Sequence, residues 1–261
     1  MKTKRSYSIA WKIAAIIIIV ACIIYANNLR NESEVKGVNI TIDYDGRDTL
    51  VTANHIEKII FSKIPNINIM TIEDIDRKQI ASIVKSNPFI GRCNVSTSIK
   101  GTVQVNAVQR VPIVRVVCTG KQFYLDNNGY YMPTSKIASQ NVIIASGTIK
   151  GKVSDTIDFS SMDTTNSNIS DIHKIYYLVT YILNHEDLAN MFDQVYVCKD
   201  GDIELVPKIG NHTIVIGDID NLDSKFEKLL AVYKGGFGNN GWNKYKKINL
   251  KYKNQVVCTK K

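Results

Sequence analysis

Residues 13–26 read Ile-Ala-Ala-Ile-Ile-Ile-Ile-Val-Ala-Cys-Ile-Ile-Tyr-Ala, with no charge, no glycine and no proline. Ile9, Ala10 and Trp11 lengthen the run, and Lys12 is its one interruption. A helix that is apolar all round has to be buried in a large core or in a membrane. As a helix, residues 9–26 reach ~27 Å, just enough for the hydrocarbon core of a bilayer. Lys12 lies near the start and can snorkel to the interface, while Trp11 and Tyr25 bracket the run as interfacial aromatics do. Lys2, Lys4, Arg5 and Lys12 precede the core, whereas Arg30, Glu32, Glu34 and Lys36 behind it cancel. This asymmetry predicts a cytoplasmic tail over residues 1–8, one transmembrane helix over residues 9–27, and everything beyond on the outer side.

Two other fates compete for the same residues. The core is short enough for a signal peptide cleaved at Ala26. In addition, Ile19-Val20-Ala21-Cys22 resembles a bacterial lipobox, which would leave Cys22 as a lipidated N-terminus. Against the lipobox, Cys22 is followed by the apolar Ile23, Ile24 and Tyr25, where a lipoprotein turns polar. The uncleaved anchor is the favoured reading. A surface or periplasmic lipoprotein with an adhesive or carrier role is the alternative.

The remaining chain alternates strand-like and helix-like patterns. Residues 38–44 alternate apolar and polar as a strand does. Thr52 is placed to cap a helix carrying Ile56, Ile59 and Ile60 on one face, and Pro65 ends it. Thr71 and Asp74 have capping-box spacing, which predicts a second helix with Ile75, Ile80, Ile83 and Val84 inward and Asn87-Pro88 as its stop. Residues 90–99 and 102–117 read as two strands joined at Lys100-Gly101. The order strand-helix-helix-strand-strand predicts a compact α+β domain over residues 35–115.

A second, β-rich domain is expected over residues 116–261, with an antiparallel sheet and two helices. Asn127-Asn128-Gly129 and Asp200-Gly201 are hairpin signals, each between strand-like runs, and residues 142–145 read as a short buried strand. Residues 150–170 are Ser/Thr/Asp/Asn-rich and read as a loop. Ile172, Ile175, Tyr176, Val179, Ile182 and Leu183 share a helix face, as do Leu222, Phe226, Leu229, Leu230 and Tyr233, with Gly235-Gly236 as the stop. Residues 246–259 read as one final long strand.

Catalytic signatures are missing from the sequence. The four histidines are scattered, His185-Glu186 lacks a second histidine four positions on, and no P-loop or G-x-S-x-G occurs. Asp218 and Asp220 flank a helix start and read as capping or solvated groups. None of Cys22, Cys93, Cys118, Cys198 and Cys258 forms a C-x-x-C pair, and the last four sit in strand-like runs as small apolar side chains. No metal site or cofactor is expected.

Charge adds a last constraint. The net charge is +9, and after Glu227 the chain has no acidic residue but carries Lys244, Lys246, Lys247, Lys251, Lys253, Lys260 and Lys261. These lysines lack the signatures of nucleic-acid binding modules. On an edge strand, lysine discourages unwanted pairing, and the same edge can instead accept one acidic partner strand. Both readings stand on the residues alone.

The order of parts resembles the bacterial FtsQ/DivIB cell-division family, whose first extracytoplasmic domain is a POTRA module. The likeness lies in Asn87-Pro88-Phe89, in Arg110-Val111-Pro112-Ile113-Val114-Arg115, in Leu125-Asp126-Asn127-Asn128-Gly129, and in Ile248-Asn249-Leu250-Lys251-Tyr252. Val114 departs from the family's usual small residue. The resemblance implies a non-catalytic scaffold at the division site of the inner (plasma) membrane. It further implies binding of the coiled-coil proteins FtsB and FtsL (or DivIC) through the C-terminal domain. It places the contact on Lys251, Tyr252, Asn254, Gln255, Val256, Val257 and Cys258, and Tyr252 is either the anchor of that contact or a core residue.

Overall fold

The computed structural model describes residues 3–31, 34–98, 100–118, 120–151, 169–236 and 244–261. The chain divides into two compact units, Met1–Gln109 and Arg110–Lys261.

The first unit opens with helix α1, Thr3–Asn31. It runs past both ends expected for the anchor because no glycine or proline interrupts it. Its described side chains are largely exposed, among them Ile16, Ile17, Ile18, Ile19, Ile23 and Ile24. Among the described residues no helix is long and apolar enough to cross a membrane.

Strand β1 (Gly37–Asp43), helices α2 (Ala53–Lys63) and α3 (Arg77–Lys85), and strands β2 (Ile90–Thr97) and β3 (Thr102–Gln109) follow in chain order. The sheet order is β1-β3-β2, with β1 parallel and β2 antiparallel to β3. Alternation turns Ile42, Val103, Val105 and Ala107 to one face, where Ile56 and Ile60 of α2 and Ile80 and Val84 of α3 cover them.

Local chemistry explains the helix starts. The Thr52 hydroxyl accepts from the His55 amide at 3.3 Å and caps α2. The Thr71 box also forms, with its hydroxyl 2.7 Å from an Asp74 carboxylate oxygen, but it closes a turn rather than a helix. Helix α3 begins only after Asp76, whose carboxylate accepts from the amides of both Lys78 and Gln79. One side chain satisfying two orphan donors outcompetes the earlier box, and Ile75 is left free to enter the core at 6 % exposure. Ile83 is only partly buried, while Ile80 is completely so. Ile80→Ala is therefore expected to cost the first unit about 2–5 kcal/mol in urea unfolding, and Ile83→Ala clearly less. Equal losses at the two sites would refute this burial order.

The strand expected over residues 102–117 is two strands in two sheets. β3 ends at Gln109, whose buried side chain turns back to accept from the Leu50 amide at 2.7 Å and donate to the Asp48 carbonyl at 3.0 Å. Pro112 then opens β4 (Pro112–Cys118), the position in a strand where a missing amide hydrogen is tolerated.

In the second unit β4 is followed by β5 (Lys121–Asp126), β6 (Tyr131–Pro133), β7 (Ile143–Gly147), helix α4 (Asp171–Leu183), β8 (Phe192–Val197), β9 (Ile203–Pro207), β10 (Thr213–Gly217), helix α5 (Leu222–Gly236), β11 (Tyr245–Asn249) and β12 (Val257–Lys260). They form one nine-stranded sheet in the order β12-β11-β10-β9-β8-β7-β4-β5-β6. The sheet is mixed, not antiparallel as expected: β4 and β7, β7 and β8, and β10 and β11 run parallel. Parallel neighbours need a crossover, and α4 and α5 supply it between β7 and β8 and between β10 and β11.

One row of directly paired residues crosses this sheet: Phe123, Val116, Ala145, Val195, Leu205, Ile214, Ile248 and Cys258. All but Cys258 are at most 1 % exposed, under the apolar faces of the two helices. The short strand expected to be buried, now β7, is half-buried, since Ile144 faces away at 41 % exposure. At its end Gly147 has φ +105°, and a Cβ there would lie 2.2 Å from the Val197 carbonyl oxygen, so no other residue fits. Most of the loop expected over residues 150–170 lies outside the described residues, as does whatever follows Gly236 up to residue 243. All five cysteines are free thiols.

Candidate functional site

Strand β12 occupies one end of the sheet and has a described neighbour on one side only, β11. Its outer backbone groups are therefore available for pairing. The long strand expected over residues 246–259 is in fact a hairpin of β11 and β12, with the chain turning over residues 250–256. Two features break it, one long-range and one local. Leu250 stays fully buried, with its amide donating to the Val215 carbonyl at 2.9 Å. The Asn249 side chain accepts from the Lys251 amide at 3.0 Å, an Asx turn that bends the backbone.

All seven residues expected at the partner contact lie on this turn and edge. Lys251, Tyr252, Asn254 and Gln255 are exposed on the turn, Val256 is half-buried against the core, and Val257 and Cys258 begin β12. Tyr252 is 48 % exposed, so its ring faces solvent rather than the core. A groove runs beside the edge, walled by Ala231 and Val232 of α5 and by Tyr245, Val256 and Cys258.

Lysines surround this edge, but they are not equivalent. Lys244, Lys246, Lys253, Lys260 and Lys261 are exposed. Lys247 pairs with Glu204 at 2.8 Å, and Lys251 with Asp202 at 2.5 Å. In both cases the hydrogen bond that the ammonium donates to the carboxylate holds it above the ordinary lysine range. The stem of Lys251 lies over Gly217, where a Cβ would come within 2.8 Å of its Cγ. From α5, Lys228 donates to the carbonyls of Leu250 at 3.2 Å and Tyr252 at 2.6 Å.

Lys228, Asp202 and Gly217 carried no signal in the sequence, since each acts on a residue far along the chain. A second pair was hidden inside motifs that were legible. Arg110 and Asp126 meet at 2.9 Å, with Asp126 completely buried. The other Asp126 oxygen accepts from the amides of Asn128 and Tyr130, and the Arg110 guanidinium lies 4.1 Å from the centre of the Tyr130 ring.

Other titratable groups serve the fold. Burial raises the Asp218 carboxyl, but the Lys174 ammonium at 2.8 Å and the Ile219 amide outweigh it and hold it below the ordinary carboxylate range. Asp220 is likewise held low against burial by Lys225 at 2.6 Å. Among the described residues no three His, Cys, Asp or Glu side chains group as metal ligands would.

A family model described as FtsQ/DivIB, C-terminal related matches residues 111–259. No curated protein matches the chain.

Proposed function

The chain belongs to the FtsQ/DivIB, C-terminal related family, and from that premise we propose that it is a non-catalytic, membrane-anchored scaffold of the bacterial division complex. Its second unit binds FtsB/FtsL- or DivIC-type proteins by adding their strand to β12. The observation that carries this reading is the open edge. Among the described residues β12 is paired on one side only, and it is flanked by Tyr252 and by exposed lysines. The strand-helix-helix-strand-strand order of the first unit supports a POTRA-like domain from residue 35, whose last strand ends at Gln109 and not at residue 115 as expected, followed by the β-domain from Arg110 onward. The exposed isoleucines of α1 and the basic flank before them support the anchor, with the N-terminus in the cytoplasm and the bulk outside it.

Topology and binding test separate parts of this reading. A reporter active only outside the cytoplasm, fused after Lys261, is expected to be active, and the purified chain is expected to keep its N-terminus. A mature chain beginning at Cys22 or Asn27 would overturn the anchor, and lipid on Cys22 would favour the lipoprotein. The full chain should bind the extracytoplasmic segment of the FtsB/DivIC-type protein from the same cell. With an acid-free tail facing an acidic strand, that association should weaken as salt rises. Affinity unchanged by salt would rule out the electrostatic part.

A further inference from the structure

We propose that two lysines, Lys228 and Lys251, clamp the β11–β12 hairpin in its binding position, and that Lys251 is a positioning residue rather than a direct partner contact. This rests on β12 being the binding edge. The turn over residues 250–256 has little of its own to hold it: Leu250 is its one fully buried side chain. Strand β12 beyond the turn is four residues long, with only Cys258 half-buried. Such an element opens locally unless something ties it down.

The ties come from two directions. The ammonium of Lys228, on α5, holds the Leu250 and Tyr252 carbonyls, which lie outside the strand ladder. The ammonium of Lys251 reaches Asp202, just before β9, with its stem laid over Gly217. Both are charge-assisted hydrogen bonds, about twice the strength of neutral ones. Lys251 is exposed like Lys253 and Lys260, but its ammonium is already paired with Asp202 at 2.5 Å, which makes it less available to an acidic partner than theirs. Its effect on binding passes through the place it gives the turn. A chain in which the edge is correctly placed for a smaller fraction of the time binds more weakly by that fraction.

A charge exchange in the full chain tests this. Affinity for the extracytoplasmic segment of the same cell's FtsB/DivIC-type protein is measured for Lys251→Glu, Asp202→Lys, the two together, and Lys228→Met. Amide hydrogen exchange over residues 257–260 is followed in each unbound chain. Each single change is expected to weaken binding about tenfold and to speed exchange at the edge, and the exchanged pair to return both to within about threefold of the unaltered chain. If the double variant binds as poorly as Lys251→Glu alone, Lys251 touches the partner and the proposal is wrong. Exchange at residues 257–260 unmoved by Lys228→Met and Lys251→Glu would overturn the clamp itself. Should the unaltered chain fail to bind the segment, the binding-edge reading falls, and edge exchange alone then decides the clamp.

Discussion

Deleting residues 257–261 is expected to abolish partner binding while the rest of the second unit stays folded. The deletion removes β12 and the two final lysines but none of the fully buried residues of the core. What it takes from the fold is the pairing with β11 and the half-buried Cys258. For the partner it removes the whole backbone template. Three or four inter-strand hydrogen bonds at a net ~1 kcal/mol each correspond to roughly a 100- to 1000-fold loss of affinity. Tyr252→Ala is the finer probe. An exposed aromatic acting as an anchor contributes about 2 kcal/mol, near 30-fold in affinity, and its removal should leave the melting temperature unchanged. Titration calorimetry and thermal unfolding on the same samples check both. Binding that survives deletion of residues 257–261 in a folded chain would eliminate strand addition at this edge.

Asp126→Ala is expected to be the most damaging single change in the second unit, at about 3–5 kcal/mol. The carboxylate is completely buried and serves three donors: Arg110 at 2.9 Å and the amides of Asn128 and Tyr130 at 2.9 and 2.7 Å. Alanine would strand two backbone amides at the β5–β6 turn and leave Arg110, itself mostly buried, without its counter-charge. Arg110→Met should cost less, because the methionine stem still packs on Tyr130 while the Asp126 turn amides stay satisfied. The double variant should cost clearly less than the sum, since the second change removes a charge the first left unpaired. Additive losses in urea unfolding, or a loss under 1 kcal/mol for Asp126→Ala, would show that the pair is not a coupled buried unit.

Much of the candidate site could be read from the residues. The acid-free, lysine-rich end pointed to an edge, and the resemblance of residues 248–252 pointed to the stretch that leads into it. Hidden from the sequence were the break at Leu250 and the two lysine ties. A run such as residues 246–259 satisfies strand patterning throughout, and nothing local says that Leu250 will be held by Val215 instead. Lys251 reads as one more solvated charge until the fold brings Asp202 to it from 49 positions away.

The division between the two kinds of information follows sequence distance. Sequence alone determined what depends on neighbours within a turn or two: the Thr52 cap, the apolar faces of α4 and α5, and the hairpins at Asn127-Asn128-Gly129 and Asp200-Gly201. Alternation likewise told which side chains of a strand face inward. Period-two alternation is the same for a parallel or an antiparallel neighbour, however, and it does not say which strand that neighbour is. Only the tertiary structure decided that residues 102–118 serve two sheets, that β7 and β8 run parallel with α4 between them in the chain, and that among the described residues β12 stands at the end of its sheet, paired on one side only. Those choices are made by burying one continuous apolar row from Phe123 to Ile248, a gain that exists only when strands far apart in the chain are brought side by side.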